Sequence, residues 1–204
     1  MGLIQLGKKM LSTTWSNKPS ASNMQGLIIR VSDIGRAGAL FISNGTRWQP
    51  LGGSCVLSIS QTSSSVTGTT SETNLVSVSV PGGLMSANGQ LEIFTLWSYT
   101  NSATARNARI RFGADALTGT IYSNPSLSTT NTLQSYILIK NNGSTSSQYG
   151  FPNSTGSGYA TSTGTLITSS IDTTVDFGLY FNFALGDSAH TGTLEGYSVT
   201  YVEG

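Results

Sequence analysis

The chain has 204 residues, only 9% of them charged, and a net charge of +1. So few strong helix formers beside 24 glycines argue against a helical protein. A single histidine and a single cysteine exclude most imidazole or thiolate metal centres and any intrachain disulfide.

Met1 to Asn23 (MGLIQLGKKMLSTTWSNKPSASN) has weak periodicity and ends in a Pro/Ser/Asn cluster. It reads as an N-terminal anchoring arm that orders only against a partner, with room for a short helix over Leu3 to Leu11. Its charges follow its apolar residues, unlike a secretory leader, and no apolar run approaches the roughly 20 residues that span a bilayer. Synthesis in a cytoplasm, without classical export or membrane insertion, is the expectation.

Residues 24–53 read as a small three-stranded β meander. Its strands are GLIIRV from Gly26, ALFIS from Ala39 and TRWQPL from Thr46, with Asn44-Gly45 as a tight turn. Three short strands bury little alone, so the meander should lean on the main body or on a neighbouring subunit. Up to Pro50, six basic residues (Lys8, Lys9, Lys18, Arg30, Arg36 and Arg47) face Asp33 alone, a balance of +5. Beyond Pro50, the four bases Arg106, Arg109, Arg111 and Lys140 face eight acids, a balance of −4. A basic arm on an acidic body suits docking on an anionic partner, with Lys8, Lys9, Trp15 and Lys18 as particle-anchoring residues. The alternative is that these dispersed charges only solubilise the segment. They are too sparse for a nucleic-acid footprint.

Gly52-Gly53 marks a boundary, and residues 54–204 read as an antiparallel, jelly-roll-like β-sandwich, which makes the fold all-β. The predicted strands cover 55–60, 73–80, 89–100, 107–113, 117–122, 132–141, 165–172, 175–185 and 193–202. Cys55 sits in the run SCVLSIS, where a buried and unreactive thiol is expected.

Along Gln90 to Tyr99, Leu91, Ile93 and Trp97 share one face, while Phe94 and Leu96 occupy the other. Apolar residues on both faces imply burial on both sides, the second cover being the meander or another copy of the protein. Arg109 and Arg111 alternate with Ile110 and Phe112. They form either an ordinary solvated face or an interchain ion pair with a carboxylate such as Glu92. Phe94, Leu96, Arg109 and Arg111 are therefore the candidate intersubunit packing residues.

Gly143 to Gly164 reads as a long polar loop holding Tyr149, Phe151 and Tyr159. Loops of this length are uncommon and often functional. Rings framed by Ser, Asn and Gly suit contact with a receptor, a host surface glycan or protein; alternatively they fold back as a small satellite core.

Val175 to Leu185 (VDFGLYFNFAL) carries the clearest strand pattern, with Val175, Phe177, Leu179, Phe181, Phe183 and Leu185 on every second position. Thr193 to Val202 alternates again, with Tyr197, Val199 and Tyr201 on one face. The two are expected to pair antiparallel across the turn GDSAHTG and close the sandwich.

No zinc-spaced cluster, phosphate loop or nucleophile elbow appears, and Asp172 and Asp176 are separated by a turn. Asp115 and Asp187 lie in loops but outside any calcium-loop pattern. No catalytic residue, cofactor or metal site is expected, and the chain is not expected to be an enzyme.

Two stretches carry a family resemblance. GLIIRVSDIGRAGALFISNGTRWQPLGG resembles the short β module, ending in S-N-G-T-x-W, of tailed-bacteriophage fibre and spike proteins. VPGGLMSANGQLEIFTLWSYTNSATARNARIRFG resembles the first strands of small phage virion proteins with a jelly-roll head domain. The resemblance implies a homotrimeric, non-enzymatic virion protein, assembled in the host cytoplasm. Its N-terminal arm (1–23) would fix it to other virion proteins, with the sandwich facing outward. The chain departs from long fibres in having no coiled coil or β-helical shaft, which favours a short protein sitting directly on a particle. A short tail fibre or receptor-binding knob leads; a capsid decoration, cement or head-fibre protein and a carbohydrate-binding module are the alternatives.

Overall fold

The computed structural model describes residues 10–151 and 166–204. The helix allowed over Leu3 to Leu11 falls mostly outside them. Among the described residues the chain is all-β, with no helix. The N-terminal part supplies β1 (Ser12–Thr13), β2 (Ile28–Val31), β3 (Ala39–Ser43) and β4 (Trp48–Pro50). The body begins with β5 (Ser54–Ser60), β6 (Ser64–Thr67), β7 (Thr73–Val80), β8 (Gln90–Tyr99), β9 (Arg106–Gly113) and β10 (Thr120–Ser123). It continues with β11 (Ser126–Leu127), β12 (Thr132–Asn141), β13 (Gln148–Gly150), β14 (Ile167–Ser169), β15 (Phe177–Ala184) and β16 (Thr191–Val202).

The small sheet has the order β1-β2-β3-β4. Strands β2 to β4 form the predicted antiparallel meander. The tip of its second hairpin is built by Asn44, whose Oδ1 accepts the backbone N–H of Thr46 at 3.0 Å and of Arg47 at 2.9 Å. Gly45 supplies the positive φ of 92° that the turn needs. The fourth strand is new. Ser12 and Thr13 run parallel to β2, opposite Arg30 and Val31. Residues 10–23 are thus ordered against their own chain rather than only against a partner. Trp15 anchors them: it is buried, and its ring lies 5.2 Å from that of Phe41.

Three contacts clamp the small sheet to the body. The Trp15 indole N–H donates to the Gly82 carbonyl at 2.9 Å. Arg47 forms an ion pair with Glu203 at 2.9 Å and donates to the Leu84 carbonyl at 2.9 Å. Gly35 approaches β5 so closely that a Cβ there would sit 2.5 Å from the Val56 carbonyl oxygen, which leaves room for glycine alone.

The body is two facing sheets. One has five strands in the order β10-β9-β15-β7, with β11 on β9; the other has seven in the order β14-β13-β12-β8-β16-β5, with β6 on β16. Phe177, Leu179, Phe181 and Phe183 of β15 point between the sheets beside Ile110 and Phe112. Leu91, Ile93, Trp97, Ile139, Val199 and Tyr201 meet them from the other side. Rings of the two layers touch: Phe181 with Tyr197 at 5.0 Å and Trp97 with Phe183 at 5.8 Å between centroids.

Four expectations change. First, β15 and β16 do not pair. β15 bonds to β7 and β9, whereas β16 bonds to β5, β6 and β8. The segment between them crosses from one sheet to the other, so two alternating strands face each other across the core instead of sharing a ladder. Second, Val175 precedes β15 and is 58% exposed. Third, part of the predicted 143–164 loop is a strand, since β13 pairs with β12 and β14. Fourth, Cys55 is half-buried rather than buried. Burial and the nearby Glu203 charge still push its thiol to about 12, so it stays protonated near neutral pH.

Candidate interaction surface

The predicted intersubunit residues lie on opposite sides of the sandwich. Phe94 and Leu96 sit on β8 in the seven-stranded sheet, while Arg109 and Arg111 sit on β9 in the five-stranded sheet. The two outer faces differ in kind.

On the five-stranded sheet, Arg109 pairs with Asn182 and Arg111 with Tyr180 in the β9–β15 ladder. Both guanidinium groups converge on Glu72. Arg111 grips the carboxylate through Nε at 2.6 Å and Nη2 at 2.8 Å, and Arg109 bonds its Oε2. The Asn182 amide donates to Glu72 Oε1 at 2.6 Å and to the Ala116 carbonyl at 2.6 Å. Two further donors are used: Arg109 Nε on Asn124 at 2.8 Å, and Arg111 Nη1 on the Gly119 carbonyl at 2.9 Å. Burial alone would raise the Glu72 carboxyl. The hydrogen bonds from Arg111, Asn182 and Arg109, with the Arg109 charge, outweigh it and hold the carboxyl at about 2. Within the chain, these arginines are thus neither an ordinary solvated face nor paired with Glu92: they pair with Glu72. Glu72 is within reach because it lies just before β7, and β7 flanks β15 in the same sheet as β9.

Among the described residues the outer face of the seven-stranded sheet has no such cover. Cross-strand registers place Tyr136, Phe94, Ser198 and Ile59 in one row. The next row is Leu138, Glu92, Thr200 and Val56. Leu96 lies one step away from Phe94, opposite Gln134. Tyr136 is 56% exposed, Leu96 is 41% exposed, Val56 and Ile59 are exposed as well, and Phe94 is half-buried. The inward neighbours Leu91, Ile93 and Trp97 are buried. Both predicted apolar sides of β8 are thus real, but the described residues bury only one of them fully.

Tyr149, a predicted receptor-contact residue, joins the same outer face, because it pairs with Lys140 on β12. Phe151 follows β13 and is 65% exposed. Tyr159 lies outside the described residues, as do Lys8 and Lys9. Of the other predicted anchoring residues, Trp15 is used in the core, and Lys18 stands 3.8 Å over the Trp15 ring and donates to its carbonyl at 3.0 Å. Sequence reasoning missed Tyr136, Leu138, Val56 and Ile59. The signal for Tyr136 and Leu138 was present as alternation in TLQSYILIK, but only the register showed that they extend the Phe94 and Leu96 patch.

Among the described residues no group of three or more His, Cys, Asp or Glu side chains is placed to hold a metal ion. No helix among them is long and apolar enough to cross a membrane.

No protein-family model matches the chain, and no curated protein matches it. Among solved structures it is similar to the crystal structure of the infectious bursal disease virus VP2 subviral particle. The TM-score is 0.33 at 11% identity, over 74% of this chain and 32% of that chain. Structures of the Gt and Gx strains of the same virus give TM-scores of 0.27 and 0.26 at 13% and 10% identity. They cover 72% and 74% of this chain and 31% and 39% of theirs. The chain spans about a third of the length of the first structures it matches. At these scores the likeness assigns neither fold nor function.

Proposed function

We propose that this chain is a non-enzymatic, self-associating structural subunit of a virus particle, a homotrimeric surface protein of a tailed-phage virion. The observation that carries the self-association is the outer face of the seven-stranded sheet, where Leu96, Tyr136, Val56 and Ile59 are exposed beside half-buried Phe94 and Leu138, with no cover among the described residues. A contiguous apolar patch on a folded body marks an interaction site. The virion setting rests on the two sequence stretches that resemble phage surface proteins. In this reading the subunit is a short fibre or receptor-binding knob. It is fixed to tail or capsid proteins through its N-terminal region, and Tyr149 and Phe151 are offered to a host glycan or protein.

A second reading is favoured by one observation. Residues 10–23 fold into the small sheet instead of trailing as an extended arm. A compact subunit of this form suits a capsid decoration or cement protein seated on the shell.

Sedimentation of the full chain tests the self-association: a trimer is expected at micromolar concentration, and a monomer at all concentrations would refute the reading. Copy number in purified particles then separates the two assignments. A few to some tens of copies fit a fibre; hundreds fit decoration.

A further inference from the structure

We propose that the copies join head to tail, the outer face of the small sheet of one copy seating on the outer face of the seven-stranded sheet of the next. The proposal rests on the self-associating reading and names the surfaces that meet.

The small sheet has an apolar outer face of its own. Ile28 stands opposite Ile42, and Arg30 opposite Leu40. Leu51 follows at the edge, where its N–H donates to the Leu40 carbonyl at 2.9 Å. Ile28, Leu40 and Leu51 are exposed, whereas Ile29, Val31 and Phe41, on the other side of the same strands, are fully buried. Arg30 is the one charge in this patch. Its guanidinium bonds Ser12 Oγ and the Ala37 carbonyl, and it has no ion-pair partner among the described residues. The body face carries an acid at its centre, Glu92, with Lys140 on the same face opposite Gln90. Glu92 lies between Leu138 and Thr200, one step from Phe94 and Tyr136. It bonds Gln90 and Tyr136 and likewise has no cationic partner among the described residues.

Charge decides between the ways two copies could meet. In residues 10–53, Lys18, Arg30, Arg36 and Arg47 face Asp33, a balance of +3; residues 54–204 carry −4. A body-on-body contact would bring two Glu92 carboxylates onto a face whose strands carry one cation, Lys140. A small sheet on a body sets opposite charges face to face inside matched apolar surrounds. Each copy then uses two different faces. Such a heterologous contact forms a closed ring when its rotation permits, and three copies are the expected closure.

The test uses the full-length protein and sedimentation, with circular dichroism confirming that each variant is folded. Arg30→Glu alone and Glu92→Arg alone should each weaken assembly at least tenfold, and the double variant should recover most of it. Because Arg30 also bonds Ser12 and Ala37, a second pair avoids it. Leu40→Ser and Leu96→Ser should each abolish closed rings. An equimolar mixture of these two variants should stop at open dimers, since one intact contact remains per pair. If Leu96→Ser dissociates the protein while Leu40→Ser and Arg30→Glu leave it assembled, the head-to-tail contact is overturned and self-association through the body stands. If the unaltered protein is itself monomeric, the underlying reading fails with it.

Discussion

The two outer faces of the sandwich are built from the same alternating strands and end up in opposite states. On the five-stranded sheet, Arg109, Arg111 and Asn182 are all bonded to Glu72, so that face is completed by its own chain. On the seven-stranded sheet, Leu96 and Tyr136 are exposed beside half-buried Phe94, and no described residue completes that face. A polar face is finished by bonds that one carboxylate can supply. An apolar face is finished only by excluding water, which needs another surface. The contrast teaches where stability and where association are stored.

The largest effect on the subunit is expected from breaking the completed face. Glu72→Ala leaves two guanidinium groups and Asn182 without their shared acceptor and should cost about 2 to 3 kcal/mol, read as a fall in the thermal midpoint. Acid should reproduce most of this. The Glu72 carboxyl is held at about 2 against an ordinary 4.5, so its contribution is complete above pH 4.5 and is lost as pH falls through 2. Solvent screening at this partly exposed site reduces what the shift contributes to about 1 to 2 kcal/mol, and chemical denaturation between pH 5 and 2 should show a stability slope that Glu72→Gln removes. Arg111→Lys keeps the charge but loses the two-point grip on Glu72, and a loss of about 1 to 2 kcal/mol is expected in the same assay. On the bare face, Leu96→Ser should change subunit stability by less than about 0.5 kcal/mol while dispersing the assembly. A strong loss of subunit stability there would mean that the face is covered in cis. Smallest of all, Phe151→Ala should leave both melting and assembly unchanged and alter only adsorption to a host surface.

Much of the fold is legible in the residues. The alternation of FGLYFNFA marks a strand with one buried face, and the same holds for QLEIFTLWSY and for the meander closed by Asn44-Gly45. Pairing is less legible. Phe177–Ala184 and Thr191–Val202 are adjacent in sequence and both alternate, which fits a hairpin as well as it fits two strands facing across a core. Period two reports which side chains share a face and carries nothing about which backbone they bond. The arginines show the same limit. Their alternation says that they leave the core, but Glu72 is 37 residues from Arg109 in sequence, and only the ladder order brings them together. Trp15 is a third case. A lone aromatic in a Ser/Thr-rich stretch looks like an arm, and its burial depends on a pocket made by Phe41 and the Gly82 turn.

By itself the sequence determined that the chain is a β protein with few charges, that β8 is apolar on both sides, and that a basic leading part precedes an acidic body. These are local properties, set by side-chain chemistry and by the two-residue period of a strand. The tertiary structure alone decided which sheet each strand joins, that Glu72 bonds the arginines, that residues 10–23 fold back onto their own chain, and which side of β8 the described residues leave exposed. Those depend on register and on contacts between residues far apart in sequence, and no window of sequence carries them.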